Sequence, residues 1–387
     1  MFRGDLTRDG HPAGATLTAE KAASLHALWT ANPGGAIDGT PVVVGQTVIA
    51  GTDSGTVAAF DLRTGKQAWS VSGLGQVTST PAVANGIVVV GSTKGHVYGL
   101  RVADGGRLWD WRAPGDEPAI WSSPAISGGR VLIGVASPYG DSPLQPGRVA
   151  ALDLSTGRQL WSLCVLKDCE PGAGVWSSVA VDPAGHGFVG VGNPVDGVIA
   201  FDTATGSELW ISSFHEDAGR DLDVGATPLI ASLAGREVVA DGSNAGVFEV
   251  LDAHTGAVVW SRFVVPGSAV HGLIASPAFD GVLLYVASAS EPTGVSALDP
   301  ASGQYRWQQL TQLPVYAAPA VGRDVLVFGT GDVFGDSHSG RLIALSTRDG
   351  SQVWSVDMKS SVFSSPAIGG DIVLVGDTQG AITAFGP

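Results

Sequence analysis

The sequence predicts an all-β chain: one eight-bladed β-propeller of four-stranded blades, closed by an N-terminal strand that joins the C-terminal blade. Three observations lead there. Eight tryptophans, Trp29, Trp69, Trp109, Trp161, Trp210, Trp260, Trp307 and Trp354, recur at about 40–50 residues. Self-similarity at that period marks a solenoid or a propeller. Seven of them close a phrase of the form Gly-x-(Val/Ile)-x-x-(Leu/Phe)-Asp-x-x-(Thr/Ser/Asp)-Gly-x-x-x-Trp, clearest at Gly55–Trp69, Gly147–Trp161, Gly197–Trp210 and Gly246–Trp260. Finally, Trp29 has no blade before it, while Ser361–Pro387 holds three strand segments and no terminal tryptophan.

The elements follow in order. Residues 1–24 are a lead-in, and Leu25–Thr30 is the strand expected to complete the last blade, removing the open edges of a stacked array. Each later unit reads as four short strands, as in Thr78–Trp109. There a Ser-Thr-Pro-Ala-Val phrase leads to Ile87–Gly91, a glycine turn, His96–Leu100, a polar turn and Arg107–Trp109. Val, Ile and Leu runs bounded by Gly, Asp and Asn are strands and turns, and no sustained helical period competes with them. In the Asp-x-x-Thr-Gly turn the carboxylate is placed to accept backbone N–H bonds and the glycine to supply φ > 0. The repeat tryptophan is expected between neighbouring blades. One domain spans residues 1–387 on this reading.

Composition sets limits. The chain has 55 glycines, 11 tryptophans and 15% charged residues, which suits a turn-rich β protein. A net charge of −15 argues against nucleic acid or an anionic membrane as partner. No apolar stretch reaches 18 residues, so no transmembrane segment is predicted. No export leader precedes Met1-Phe2-Arg3-Gly4-Asp5, an opening that reads as trimmed. Cys164 and Cys169 form an isolated close pair in an otherwise cysteine-free chain. That predicts a disulfide and a periplasmic or extracellular location.

The residue three before the proline that opens each inner strand is expected at the mouth of the central channel. Blade by blade these are Asp38, Thr78, Trp121, Trp176, Gly225, Ile274, Tyr316 and Phe363, with Val179 in place of the proline in blade four. Trp121 and Trp176 either sandwich a planar ligand or plug the channel. His215, Glu216, Asp217, Asp221 and Asp223 read as a metal cluster or a solvated loop, and Asp332 and Asp336 as a cap on the same face or a plain polar loop.

The repeat phrase, the blade count and the opening Phe2-Arg3-Gly4-Asp5 resemble the quinoprotein alcohol dehydrogenase-like propellers, which hold pyrroloquinoline quinone (PQQ) and calcium on the axis. Gly172-Ala173-Gly174-Val175-Trp176-Ser177-Ser178, Val181-Asp182-Pro183 and Gly190-Val191-Gly192-Asn193-Pro194 are most similar to polyvinyl-alcohol-dehydrogenase-like members. The resemblance implies that Trp176 stacks on PQQ and that Asn193 binds calcium. In Arg220-Asp221-Leu222-Asp223 it implies that Asp221 is both metal ligand and catalytic base, and Asp38 falls where the family has a PQQ-contacting glutamate.

Calcium prefers oxygen donors, and a carboxylate within reach removes the alcohol proton as hydride leaves. The chain departs from the family at several of these positions. Asp141 is the one carboxylate where blade three should supply a calcium-binding glutamate. Asn244 replaces the basic residue expected against the quinone, Thr78 stands where an adjacent-cysteine disulfide is usual, and Trp121 stands in place of a threonine. No Cys-x-x-Cys-His is present, so an electron acceptor would be a separate molecule.

Three functions therefore compete: a PQQ- and calcium-dependent dehydrogenase of a small or polymeric alcohol, a non-catalytic scaffold that docks a protein partner, and a propeller that binds another small molecule or sugar.

Overall fold

The computed structural model describes residues 1–216, 220–334 and 339–387. They form eight antiparallel sheets of four strands each, every sheet hydrogen-bonded from its inner to its outer strand in chain order except the last. Neighbouring inner strands touch around a closed ring. The expected eight-bladed propeller is present, with one short α-helix, Ala19–Ala22, and one 3-10 turn, Lys167–Cys169, among the described residues. Middle strands such as Val57–Asp61 and Val131–Val135 are buried on both faces, while outer strands such as Gln67–Val71 are half exposed. That asymmetry follows from blades stacking face to face about an axis, which leaves the outer strands at the rim.

The repeat phrase encodes an interlock between blades. The turn aspartate works as expected: Asp61 Oδ1 accepts Thr64 N at 2.8 Å and Thr64 Oγ1 at 2.6 Å, and these bonds hold its carboxyl below the usual range. The turn glycine has a second duty. Gly65, Gly105, Gly157, Gly206, Gly256, Gly303 and Gly350 all take φ between 65° and 76°, and each faces the tryptophan of the preceding blade. A Cβ at Gly206 would lie 2.6 Å from the Trp161 ring. The same tryptophan then donates its Nε1–H to a backbone carbonyl of the next blade, as Trp69 does to Val102 O at 2.8 Å and Trp260 to Pro300 O at 2.8 Å.

Closure follows the sequence expectation to within a residue. Strand β1, His26–Ala31, pairs antiparallel with Ile382–Gly386 and is the outermost strand of blade eight. Blade eight consequently lacks the turn that would receive Trp354, which instead packs edge-on against Phe385. Leu17, Ala22 and Leu25 fill this seam in one cluster with Val327, Leu342, Val373 and Phe385.

Ahead of that helix, the lead-in crosses beneath the axis. Carbonyls of Leu6, Thr7, Asp9 and Gly10 accept N–H bonds from Val181, Ile230, Phe279 and Val321, one for each of blades four to seven. Arg3 donates to the carbonyls of Pro277 and Pro319, and Arg8 to Val179 O at 3.0 Å. Burial lowers both guanidinium pKa values, to about 10 and about 9.

Cys164 and Cys169 are joined in a disulfide.

Candidate functional site

Above the lead-in, the inner ends of the blades surround an axial cavity of about 630 Å³. All eight positions expected at the channel mouth line it, from Asp38 through Phe363. Its aromatic members, Trp121, Trp176, Tyr316 and Phe363, form part of the cavity wall.

Trp176 is held as a flat platform. Its ring lies over Gly225 of the next blade so closely that a Cβ there would be 1.6 Å from Cζ2. Its Nε1 donates to Asp223 Oδ2 at 2.6 Å. The other oxygen of that carboxylate accepts Asn193 N at 3.1 Å, and Asn193 Nδ2 donates to Asp221 Oδ1 at 3.0 Å. A continuous polar chain thus runs from the platform to Asp221, and Gly192 is the residue that leaves room for the Asp223 carboxyl.

This wall is acidic. Burial raises the Asp223 pKa to about 6, and the nearby charges of Asp221 and Asp141 add to the effect against the Trp176 hydrogen bond. Asp38, in blade one, is also raised to about 6, by burial and then by Asp53. Asp141 and Asp221 both sit at positive φ, 52° and 56°. Aspartate tolerates that region better than most residues, and backbone strain of this kind concentrates where side chains are aimed at a site.

The remaining walls differ in kind. Trp121 donates Nε1 to Ser137 O at 2.9 Å, which ties its ring to its own blade's loop. Tyr316 packs against Phe334 and Phe363 with ring centres 5.4 and 5.9 Å apart, making one side aromatic. Asn244 donates to Ala269 O at 2.9 Å, leaving its Oδ1 without a partner. Thr78 Oγ1, Thr40 Oγ1 and Tyr316 Oη are buried and likewise unpartnered. Buried polar atoms left without partners are costly, so their presence around one cavity, on blades one, two, five and seven, marks a place where a polar ligand would supply what the protein does not.

Below this level runs a belt of hydroxyls that sequence reasoning missed. The residue directly before each inner-strand proline is Thr40, Thr80, Ser123, Ser178, Thr227, Ser276, Ala318 or Ser365. Thr40 N donates to Thr80 Oγ1 at 2.9 Å, Thr80 N to Ser123 Oγ at 2.9 Å and Ser123 N to Ser178 Oγ at 2.8 Å. The relay continues through Thr227, Ser276 and, one blade on, from Ala318 N to Ser365 Oγ at 3.0 Å. Its signal was the recurring Thr/Ser-Pro pair, read only as the start of a strand.

Every sequence-predicted site residue lines the cavity: Asp38, Thr78, Trp121, Asp141, Trp176, Asn193, Asp221 and Asn244. Asp223 joins them as the link between Trp176 and Asn193. His215 and Glu216 do not line it, and Asp217 and Asp336 lie outside the described residues. Asp332 lies close enough to Tyr316 for its charge to raise the phenol pKa, after burial. Among the described residues, no three acidic, histidine or cysteine side chains converge as a ready metal cluster. No helix is long and apolar enough to cross a membrane.

Comparison with known proteins agrees with this architecture. A polyvinylalcohol dehydrogenase from a Pseudomonas species is 27% identical over 53% of this chain, an alignment covering 40% of that protein. The chain thus spans well under two thirds of that relative's length. A europium-containing methanol dehydrogenase superposes with a TM-score of 0.86 at 17% identity, covering 100% of this chain and 97% of that one. A quinohemoprotein alcohol dehydrogenase from Comamonas testosteroni superposes with a TM-score of 0.83 at 18% identity, covering 99% and 79%. The sequence profile of the PQQ_2 family, described as outer membrane protein assembly factor BamB, matches residues 13–169, 145–317 and 196–387, and the chain belongs to that family of PQQ-type propellers.

Proposed function

We propose that this propeller, acting as one domain, binds PQQ and a calcium ion in its axial cavity and oxidises an alcohol. The observation that carries the reading is the hydrogen-bonded run from Trp176 through Asp223 and Asn193 to Asp221, beside buried polar atoms that lack partners. The residues fit a planar polar cofactor. Trp176 offers a flat face fixed by Gly225, Trp121 a second aromatic wall, and Thr78 and Asn244 offer hydroxyl and amide groups to its polar edge, with Asp38 in support. The donors near Asp221 are all oxygens or an amide, which suits a hard cation, with Asn193, Asp221 and Asp141 as its holders.

When bound, the quinone supplies the two-electron chemistry that side chains lack. The chain's own residues position the alcohol and move its proton. Asp221 Oδ1, fixed by Asn193 Nδ2 at 3.0 Å, is the base that accepts the hydroxyl proton. The aromatic wall of Tyr316, Phe334 and Phe363 excludes water from that side. Electrons would pass to a separate acceptor, and the disulfide supports a periplasmic or extracellular setting.

One observation favours a non-catalytic docking scaffold instead: no Lys or Arg lines the cavity among the described residues. Calorimetric titration decides between the two. The enzyme reading expects PQQ with excess Ca²⁺ to bind at tens of micromolar or tighter, about −6 kcal/mol, and Asp221→Asn to abolish dye-linked alcohol oxidation with the fold intact. Absence of binding at that concentration rejects the enzyme in favour of the scaffold.

A further inference from the structure

Two of the eight blades carry unusually long connections on the cavity side. Between the second and third strands, six blades use four or five residues, blade three uses 12, residues 136–147, and in blade seven eight sequence positions separate Gly331 from Gly340, of which 332–334 and 339 are described. Blades three and seven stand four places apart in a ring of eight, on opposite sides of the axis. Each long connection brings large apolar side chains to the cavity and leaves them in solvent. Tyr139 is 73% exposed, Leu144 45% and Phe334 46%, and all three line the cavity. Nearly all the other exposed large apolar side chains, such as Leu108, Leu209 and Phe263, lie on outer strands at the circumference.

The contrast with the cavity wall gives these three residues their meaning. The same cavity is lined by Asp141, Asn193, Asp221 and Asp223, a polar wall suited to a hydroxyl group and hostile to hydrocarbon. At the mouth, apolar tips face each other across the opening, with Phe334 continuous with Tyr316 and Phe363 behind it. A ligand that satisfies both levels is polar at one end and apolar along its length. Small alcohols such as methanol would use the wall alone and leave the rim in water.

We propose that Tyr139, Leu144 and Phe334 form a rim subsite for the hydrocarbon chain of an unbranched alcohol whose hydroxyl reaches Asp221. This makes them the specificity-determining residues for chain length, and it rests on the reading of the axial cavity as an alcohol site. Burial of a methylene stabilises binding by about 0.8 kcal/mol, so each added CH₂ tightens binding about fourfold.

The test titrates the full chain, with no cofactor present, against the series 1-butanol to 1-octanol by calorimetry. The expected result is a gain of about fourfold per methylene, roughly 250-fold across the series. In the Tyr139→Ser/Leu144→Ser/Phe334→Ser variant the gain should fall below about twofold per methylene. The single change Tyr139→Ser, at the most exposed position, should lower the slope by itself and guards against a folding defect in the triple variant. Affinity that is independent of chain length in the unmodified protein, or an unchanged slope in the variants, overturns the subsite. Because no PQQ enters this titration, failure of PQQ to bind rejects the dehydrogenase reading and leaves the rim slope to be judged by itself.

Discussion

Gly225→Ala gives a direct test of how the platform is held. The added Cβ would lie 1.6 Å from Trp176 Cζ2, where carbon atoms in contact need about 3.5–4.0 Å. The ring must therefore move by about 2 Å. Gly225 has no positive φ, so the backbone accepts alanine and the whole effect falls on Trp176. Overpacking in a closed core costs about 1–3 kcal/mol, but here the ring has the cavity to move into, which keeps that part small. What it cannot keep is the 2.6 Å bond from Nε1 to Asp223. A hydrogen bond to an ionised group contributes about 1.5–3 kcal/mol, so the expected loss is about 2 kcal/mol, or roughly 2–3 °C in Tm for a chain of this size. The assay is denaturant unfolding of Gly225→Ala, Trp176→Phe and the double variant. Phenylalanine lacks both the Nε1–H and the atoms that meet the new methyl, so the glycine change should cost less than about 0.5 kcal/mol in its presence, a coupling above 1 kcal/mol. Equal cost of Gly225→Ala in both backgrounds would falsify the pinned-platform argument.

Four other expectations follow from the fold. Deleting residues 1–31 removes β1, the helix and the lead-in together, and should abolish a cooperative thermal transition near that of the parent; an unchanged melting curve rejects closure by this segment. The Cys164–Cys169 bond should leave no free thiol in denatured, unreduced protein, and replacing both cysteines with alanine should lower stability by about 2 kcal/mol, the chain-entropy value for so short a loop. Asp241 is fully buried with one carboxyl oxygen unpartnered, and burial raises its pKa well above the usual range. A raised folded-state pKa means stability is fully present below the unfolded value, near 4, and is lost as pH rises toward the folded value. Asp241→Asn should therefore match the parent at pH 4 and exceed it at pH 8, and urea midpoints that keep the same gap at both pH values would rule this out. Ala318→Ser restores the missing hydroxyl of the axial belt and should add about 1 kcal/mol; a destabilised variant would show that the belt is incidental.

The legible parts of this molecule were those in which one residue answers to one neighbour at a fixed spacing. The tryptophan repeat, the Asp turn and the orphan Trp29 each signalled a local or periodic contact, and they gave the blade count and the closing strand. The eight mouth residues were legible for the same reason, because ring symmetry places equivalent positions at equivalent depth. What stayed hidden depended on contacts between blades or along the axis. The turn glycines read as conformational devices, although each also leaves space for a tryptophan some 40 residues earlier in the chain. The Thr/Ser belt was visible as residues and invisible as bonds, since each N–H finds its hydroxyl one blade away. Asp223 was overshadowed by Asp221 in one Asp-x-Asp phrase, and only its contact with Trp176 Nε1 separates their positions. The contacts of Arg3 and Arg8 stayed hidden because their partners, the carbonyls of Pro277, Pro319 and Val179, lie 171 to 316 positions away.

The seam between blades seven and eight has a consequence in time. Seven tryptophans dock into a turn that lies 36 to 48 residues further along the chain, so most of the ring is assembled from neighbours in sequence. The eighth contact has no such turn, and its substitute comes from Leu17, Ala22, Leu25 and a strand whose partner begins at Ile382. Bringing segments some 350 residues apart together is a loop closure that local structure cannot hasten. During synthesis the edge of β1 that pairs with Ile382–Gly386 must wait, unpaired, until the last blade has emerged. Refolding should accordingly show a fast phase in which the blades form and a slower one in which the ring shuts, and a circular permutant that makes β1 contiguous with Gly386 should lose the slow phase.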